Sequence, residues 1–336
     1  MPSGLQEDRK LCVAPMMAWT DHHCRYLLRL CSPNARLFTE MITTSALLRG
    51  PRERLLRFDT TEHPLVIQLG GSDPGELAQA VWIAEQAGFD EVNLNVGCPS
   101  PRVKEGRFGA CLMREPRVVA ECINAMKANT SLPVTVKCRL GVDDADSDEL
   151  LEIFVEVLIN AGCEALYLHA RKAMLEGLSP AQNREVPPLQ PDRVYRLKAR
   201  FPQLPVVLNG GVTDSETAHK HLDHVDGVMI GRSAYHDPMF LSELDHALFA
   251  SPATDPWNVL DQYLVYMESQ LIRGARLQDM TRPMLGVLKG VPGARRYRRL
   301  LSDSKRLRNN DISLVHEAIS SVSARRYKPH RERAHA

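Results

Sequence analysis

Apolar positions fall into two alternating kinds of run along the first two-thirds of this chain. Short apolar blocks recur at Leu11–Met16, Arg36–Glu40, Pro64–Leu69, Glu91–Asn95, Pro133–Cys138, Ala165–His169, Pro205–Asn209 and Gly227–Ile230. Between them lie longer amphipathic stretches, among them Gly75–Ala87, Pro116–Ala128, Asp148–Ala161, Pro191–Arg200 and Ser215–Leu222. Gly88 and Gly162 follow two of these stretches as helix C-cap signals. Strand-like blocks alternating with helix-length segments predict parallel βα units. Eight of them in about 240 residues predict a (β/α)8 TIM barrel. An open, doubly wound sheet is the alternative, because periodicity does not report closure.

From about Ser251 the strand pattern stops. Asp255-Pro256-Trp257 opens a helical stretch to Ile272, and Thr281-Arg282-Pro283 opens a second to about Lys289, with proline expected in its first turn. Further helical segments are expected at Arg296–Leu301 and Ile312–Val322. The chain therefore divides into a barrel at residues 1–245, a C-terminal all-helical domain at 255–325 and a disordered basic tail at 326–336.

Composition narrows the class. An apolar content of 44% with 25% charged residues is ordinary for a soluble enzyme. No run of eighteen apolar residues predicts a membrane span, and the first ten residues carry no signal-peptide core. The eight cysteines form no CxxC pair, which suits reduced cytoplasmic thiols better than a disulfide framework or a metal cluster. The net charge of +1 conceals an asymmetry: residues 295–336 hold twelve Lys/Arg against four Asp/Glu, leaving roughly −7 on the remainder. A basic end on a mildly acidic body is a footprint for a polyanion.

In a barrel, the residues that follow the strands form the active face. Here they are Pro15-Met16-Met17, Glu40, Gln68, Asn95 with Cys98, Lys137 with Arg139, His169, Asn209-Gly210-Gly211 and Gly231-Arg232. Cys98 ends an apolar block and opens a Gly/Pro-rich loop, so its thiol is a candidate proton donor, three residues after Asn95. Asn209-Gly210-Gly211 and Gly231-Arg232 each precede a helix, and glycine backbone near helix N-termini suits a phosphate. Lys137 and Arg139 share one strand face. The lysine has two readings: a cation stabilising an anionic reduced cofactor, or a Schiff-base nucleophile. His169 either bonds a phosphate or ring edge, or is a satisfied core histidine. A Rossmann fingerprint after the first strand and a Walker-A loop are both absent.

These stretches carry a resemblance. Ala14–Asp21, Gln68–Gly71, Asn93–Pro101, Val136–Gly141, Leu168–Arg171, Asn183–Leu189, Asn209–Val212, Asp226–Arg232 and Pro292–Arg299 together span nearly the whole chain. On them it resembles the tRNA-dihydrouridine synthases, most closely the DusA type. The resemblance implies an FMN enzyme that uses NADPH to reduce uridines 20 and 20a in the D-loop of tRNA. It implies Cys98 as proton donor. It implies Pro15, Met16, Met17, Gln68, Lys137, His169, Asn209, Gly210, Gly211, Gly231 and Arg232 around FMN. Asn95, Arg139, Asn183 and Arg184 are then expected at the uridine or tRNA backbone, and Arg296 and Arg299 on the RNA. A cytoplasmic, metal-free monomer is expected. The segment Pro99–Cys111, with glycines at 106 and 109, is expected to act as a lid. Rival readings are a flavin barrel reducing a free pyrimidine, a flavin-free Lys137 aldolase, and a non-catalytic RNA-binding barrel.

Overall fold

The computed structural model describes residues 9–323, so the tail expected at 326–336 lies outside the described residues. One strand sits on each apolar block: β1 (Leu11–Val13), β2 (Leu37–Thr43), β3 (Leu65–Gly70), β4 (Glu91–Val96), β5 (Val134–Arg139), β6 (Leu166–His169), β7 (Val206–Asn209) and β8 (Gly227–Ile230). All pair in parallel, in the order β1-β8-β7-β6-β5-β4-β3-β2. Arg36 closes the ring. Its N–H donates to the Leu11 carbonyl and its own carbonyl accepts from Val13 N–H, each at 2.9 Å. Closure replaces the open-sheet alternative with a TIM barrel.

Alternation along each strand sends one set of side chains outward and one inward. The outward set, such as Ile67, Leu94, Val136, Leu168 and Leu208, packs against Leu77, Val81, Ile123, Phe154 and Val194 of the surrounding helices. The inward set includes Cys12, Phe38, Val66, Tyr167, Val207 and Met229, with Phe38 and Tyr167 edge to face at 4.9 Å. At the N-terminal end of the strands the interior is ionic. The fully buried Glu91 carboxylate accepts from Arg9 at 2.6 Å and Arg36 at 3.3 Å. Buried charges are tolerated when paired in this way.

Helix His22–Cys31, between β1 and β2, buries Arg25 and Arg29 along with Leu27, Leu28 and Cys31. Arg25 pairs with Glu62 at 2.6 Å, and Arg29 donates to the carbonyls of Ser32, Pro33, Ala35 and Glu62. Leu27 and Cys31 on this helix join a second core. That core is otherwise built from Pro256–Ile272, Leu277–Met284, Ala294–Leu301, Ser304–Leu307 and Ser313–Ser323, and it includes Tyr263, Met280, Tyr297 and Val315. The helical unit is therefore docked on the first helix of the barrel. The second of its helices begins at Leu277 and not at Thr281. Pro283 lies near its end, where the bond lost to the missing N–H is one of the last in the helix.

Candidate active site

The C-terminal ends of the strands surround one open cavity of about 1040 Å³. Of the expected residues, Pro15, Met16, Met17, Gln68, Asn95, Cys98, Lys137, Arg139, His169, Arg184, Asn209, Gly210, Gly211, Gly231 and Arg232 all line it. Glu40 does not. Its carboxylate accepts from the Ala18 N–H at 2.5 Å. Ala18 has φ 63, a left-handed conformation that a non-glycine residue adopts at a cost. Glu40 and the Met16–Thr20 backbone bonds hold this turn, which leaves Met17 59% exposed at the cavity. Trp19, also on the cavity wall, stacks on Tyr235 at 4.5 Å. Sequence reasoning missed that pair, since nothing local links residue 19 to residue 235.

Cys98 is held by its neighbours. Asn95 Oδ1 accepts from the N–H groups of Gly97 at 3.2 Å and Cys98 at 3.0 Å, and Cys98 Sγ lies 3.6 Å from Ser100 Oγ. The Cys98 carbonyl accepts from Ala110 N–H at 3.0 Å. Gly109 makes that approach possible: its φ is 75, and a Cβ there would stand 2.6 Å from the Cys98 oxygen. Of the eight thiols, all free, six are buried and only Cys98 and Cys111 are partly exposed. Phe108 and Val103, from the segment expected to act as a lid, form part of the cavity wall. That segment is a short helix, Pro101–Glu105, followed by a 3-10 turn at Gly109–Arg114.

Lys137 donates to Asn209 Oδ1 at 2.8 Å, and Asn209 Nδ2 donates to the Met229 carbonyl at 2.8 Å, which fixes the amide with its oxygen toward the lysine. Burial, then the nearby Arg139, pushes the Lys137 ammonium down to about 7. Burial and the cations Arg139 and Lys137 hold His169 well below the ordinary histidine value, so it is neutral. Arg139 is spent on backbone: Nε donates to the Gly97 carbonyl at 3.1 Å and Nη1 to those of Lys172 and Asn183 at 3.2 and 2.8 Å. It ties the Cys98 loop to the loop after β6. Burial lowers its guanidinium to about 10, still charged at neutral pH.

The loops after β7 and β8 bring Gly210 (φ 106) and Gly211 (φ 82) against the cavity. A side chain on Gly210 would press the His169 ring at 3.1 Å, and one on Gly211 would meet Leu189. Helix Ser215–Leu222, expected to offer its N-terminus here, is already capped, because Asp214 accepts from Thr217 N–H at 2.7 Å. Arg232 is paired with Glu185 at 2.5 Å. Burial and the proximity of Arg232 lower both Arg171 and Arg184, so the rim carries cations that repel one another and favour an anion.

Asn183 is a correction. It is fully buried and lies outside the cavity, with its amide spent on Met174 N–H and on the carbonyls of Met174, Leu178 and Ser179. It shapes its loop instead of contacting a substrate. Arg296 and Arg299 line a separate pocket of about 380 Å³ in the helical unit, with Gly293, Arg295 and Ser321. Helix Ala294–Leu301 buries Ala294, Tyr297 and Leu301 and exposes all four of its arginines.

Among the described residues, no helix is long and apolar enough to cross a membrane. The barrel is similar in fold to morphinone reductase, with a TM-score of 0.51 and 11% identity over 74% of this chain and 87% of that one. A tRNA-dihydrouridine(20/20a) synthase of Xanthomonas axonopodis pv. citri (strain 306) is 54% identical over 319 residues, covering 95% of this chain and 96% of the relative. The Escherichia coli (strain K12) protein of the same name is 49% identical over 320 residues, covering 94% and 92%. The profile of the family described as Dihydrouridine synthase (Dus) matches residues 12–323. This chain belongs to the dihydrouridine synthase family.

Proposed function

We propose that this protein reduces uridine to 5,6-dihydrouridine in the D-loop of tRNA, at positions 20 and 20a, with FMN as its cofactor and NADPH as the reductant. The observation that carries the reading is the convergence, in one cavity, of a partly exposed thiol, a half-buried lysine lowered to about 7 and two positive-φ glycines. Kinship with proteins named tRNA-dihydrouridine(20/20a) synthase supports the substrate and the positions. Membership of a reductase family leaves the Lys137 Schiff-base reading without support.

The residues fit a flavin mononucleotide. A cavity of about 1040 Å³ is at the top of the usual range for ligand pockets, roomy enough for a flavin with a base beside it. Burial and the nearby Arg139 disfavour the charged form of Lys137, so an anionic group beside it would be stabilised by restoring that charge. Backbone at Gly210, Gly211 and Gly231, with Arg232 and neutral His169, forms a cradle suited to a phosphate. Lys137, Asn209, Gln68 and the Pro15–Met17 turn suit the ring system. When bound, the flavin supplies the hydride that reduces the uracil C5–C6 bond.

The protein supplies the proton. The Cys98 thiol on the cavity wall gives its proton to C5 and is reprotonated from solvent, with Ser100 Oγ 3.6 Å away as first contact. Asn95 and Arg139 fix the loop that carries it. Arg184 at the rim, together with the arginines of Ala294–Leu301, meets phosphates of the RNA. The protein acts as a cytoplasmic monomer. The test is direct: the purified protein, reconstituted with FMN, shows the visible flavin band, loses it on adding NADPH, and leaves dihydrouridine at positions 20 and 20a by mass spectrometry of tRNA. A colourless protein after reconstitution overturns the cofactor. Dihydrouracil formed from free uracil but not from tRNA overturns the substrate.

A further inference from the structure

Glu91 and Cys98 lie at opposite ends of β4, yet an unbroken run of side-chain hydrogen bonds joins them. Residues 91, 93 and 95 all point into the barrel, at the strand period of two. Thr135 Oγ1 donates to Glu91 Oε1 at 2.7 Å, and Asn93 Nδ2 donates to Thr135 Oγ1 at 3.0 Å. Gln68 Nε2 donates to Asn93 Oδ1 at 2.8 Å, and Asn95 Nδ2 donates to Gln68 Oε1 at 2.8 Å. Asn95 Oδ1 then receives the N–H groups of Gly97 and Cys98. Every member is buried, from fully enclosed Glu91, Asn93 and Thr135 to Asn95 at 9% exposure.

All the side-chain donors point the same way, toward Glu91, and its chemistry gives the reason. A carboxylate between Arg9 and Arg36 offers only lone pairs, so Thr135 has to donate to it. The threonine oxygen then accepts from Asn93, whose oxygen accepts from Gln68, whose oxygen accepts from Asn95. An amide has a donor end and an acceptor end of nearly equal shape, so packing alone does not choose between them. Reversing any one of the three would set NH₂ against N–H or C=O against C=O in a buried site, at a cost of a lost hydrogen bond or more. A reversed Asn95 would turn its NH₂ group on the N–H groups of Gly97 and Cys98 and push the loop away.

We propose that Thr135 and Asn93 are positioning residues for the Cys98 thiol: anchored on Glu91, they set the polarity of the chain that holds the Asn95 oxygen beneath the Gly97 and Cys98 N–H groups. The Glu91 end of the barrel thereby fixes where the thiol stands in the cavity. This rests on Cys98 as the proton donor.

The test uses the full-length holoenzyme with Thr135→Val, which keeps the shape and removes the hydroxyl, and Thr135→Ser, which restores it. Iodoacetamide labelling of Cys98, resolved from Cys111 by peptide mass spectrometry across pH, reports the thiol without turnover. The valine variant is expected to change the Cys98 labelling rate about threefold or more and to lower kcat on tRNA about tenfold, with KM and NADPH bleaching of the flavin within about twofold of wild type. The serine variant returns both to wild-type values. Wild-type labelling and kcat in the valine variant, or a serine variant no better than valine, overturns the proposal. If Thr135→Val is insoluble, Asn93→Ala takes its place with the same outcomes. Failure of the underlying reading looks different: Cys98→Ala then makes product at the wild-type rate, while labelling of Cys98 still judges the chain.

Discussion

One side chain at the cavity, Cys98, is set apart by its surroundings. Cys98 is partly exposed and hydrogen-bonded, while six other thiols are sealed in the core. Burial raises the thiols of Cys12, Cys24, Cys31, Cys122, Cys138 and Cys163, so those groups behave as small hydrophobes. Only a group that exchanges with solvent can give up a proton and recover it on every turnover. Cys98→Ala is therefore expected to lower dihydrouridine formation about a hundredfold while the flavin remains bound and is still bleached by NADPH. Single-turnover assays on unmodified tRNA check this, and near-normal product transfers the role to another group. The position of Cys98 was legible in the sequence, because the end of an apolar block and a Gly/Pro-rich loop mark a strand mouth. Asn183 was misplaced for a local reason: a buried asparagine spent on its own loop looks, in sequence, like one presented to a ligand.

At the scale of elements, helix His22–Cys31 joins the two cores and carries a proton-linked pair. Burial lowers His22 to about 3 and His23 to about 4, and His22 Nε2 is buried without a hydrogen-bond partner. His23 Nδ1 lies 2.8 Å from the Tyr266 hydroxyl of the helical unit. Both imidazoles stay neutral in the folded protein and protonate on unfolding below about 6.5. The unfolded state then binds more protons, so their contribution to stability is intact above about 6.5 and is lost as pH falls toward 4. His22→Phe is expected to flatten this loss by about 1.4 kcal/mol per pH unit between pH 6 and 4 relative to wild type. Urea unfolding of both proteins across that range measures it, and parallel curves refute it. Lys104 and Arg107 are exposed, and Lys104 pairs with Glu176 of the loop after β6 at 2.8 Å. If Pro99–Cys111 closes over a bound base, tryptic cutting after Lys104 and Arg107 slows with tRNA present; equal cutting in both states counts against a lid.

The whole molecule sets an acidic-to-neutral barrel against a basic helical end. Seven of the twelve Lys/Arg counted beyond residue 294 lie among the described residues, and four of them project from helix Ala294–Leu301. Extracting a uridine from its stack costs on the order of a few kcal/mol, which contacts remote from the cavity must offset. Arg296→Ala and Arg299→Ala are each expected to weaken tRNA binding and to reduce the slope of log affinity against log salt by about one, with flavin content unchanged. Filter binding at several salt concentrations decides this, and unchanged affinity at both low and high salt removes these arginines from the interface.

The sequence by itself determined the eight strands, the amphipathic helices between them, the change of character after residue 251 and the side of the barrel on which chemistry collects, since all of these follow from local periodicity and strand ends. It did not show that Arg25 and Arg29 of helix His22–Cys31 are buried, which is intelligible only beside Glu62 and the carbonyls they meet. Tertiary structure alone decided closure, through two backbone bonds at Arg36. It alone turned Glu40 from the cavity to the Ala18 turn and joined Glu91 to Cys98 through side chains 25 to 44 residues apart in sequence. The physical reason is the same in each case. Hydrophobic period is a property of neighbouring residues, whereas the partner of a buried polar group comes from wherever the fold brings one within hydrogen-bond reach.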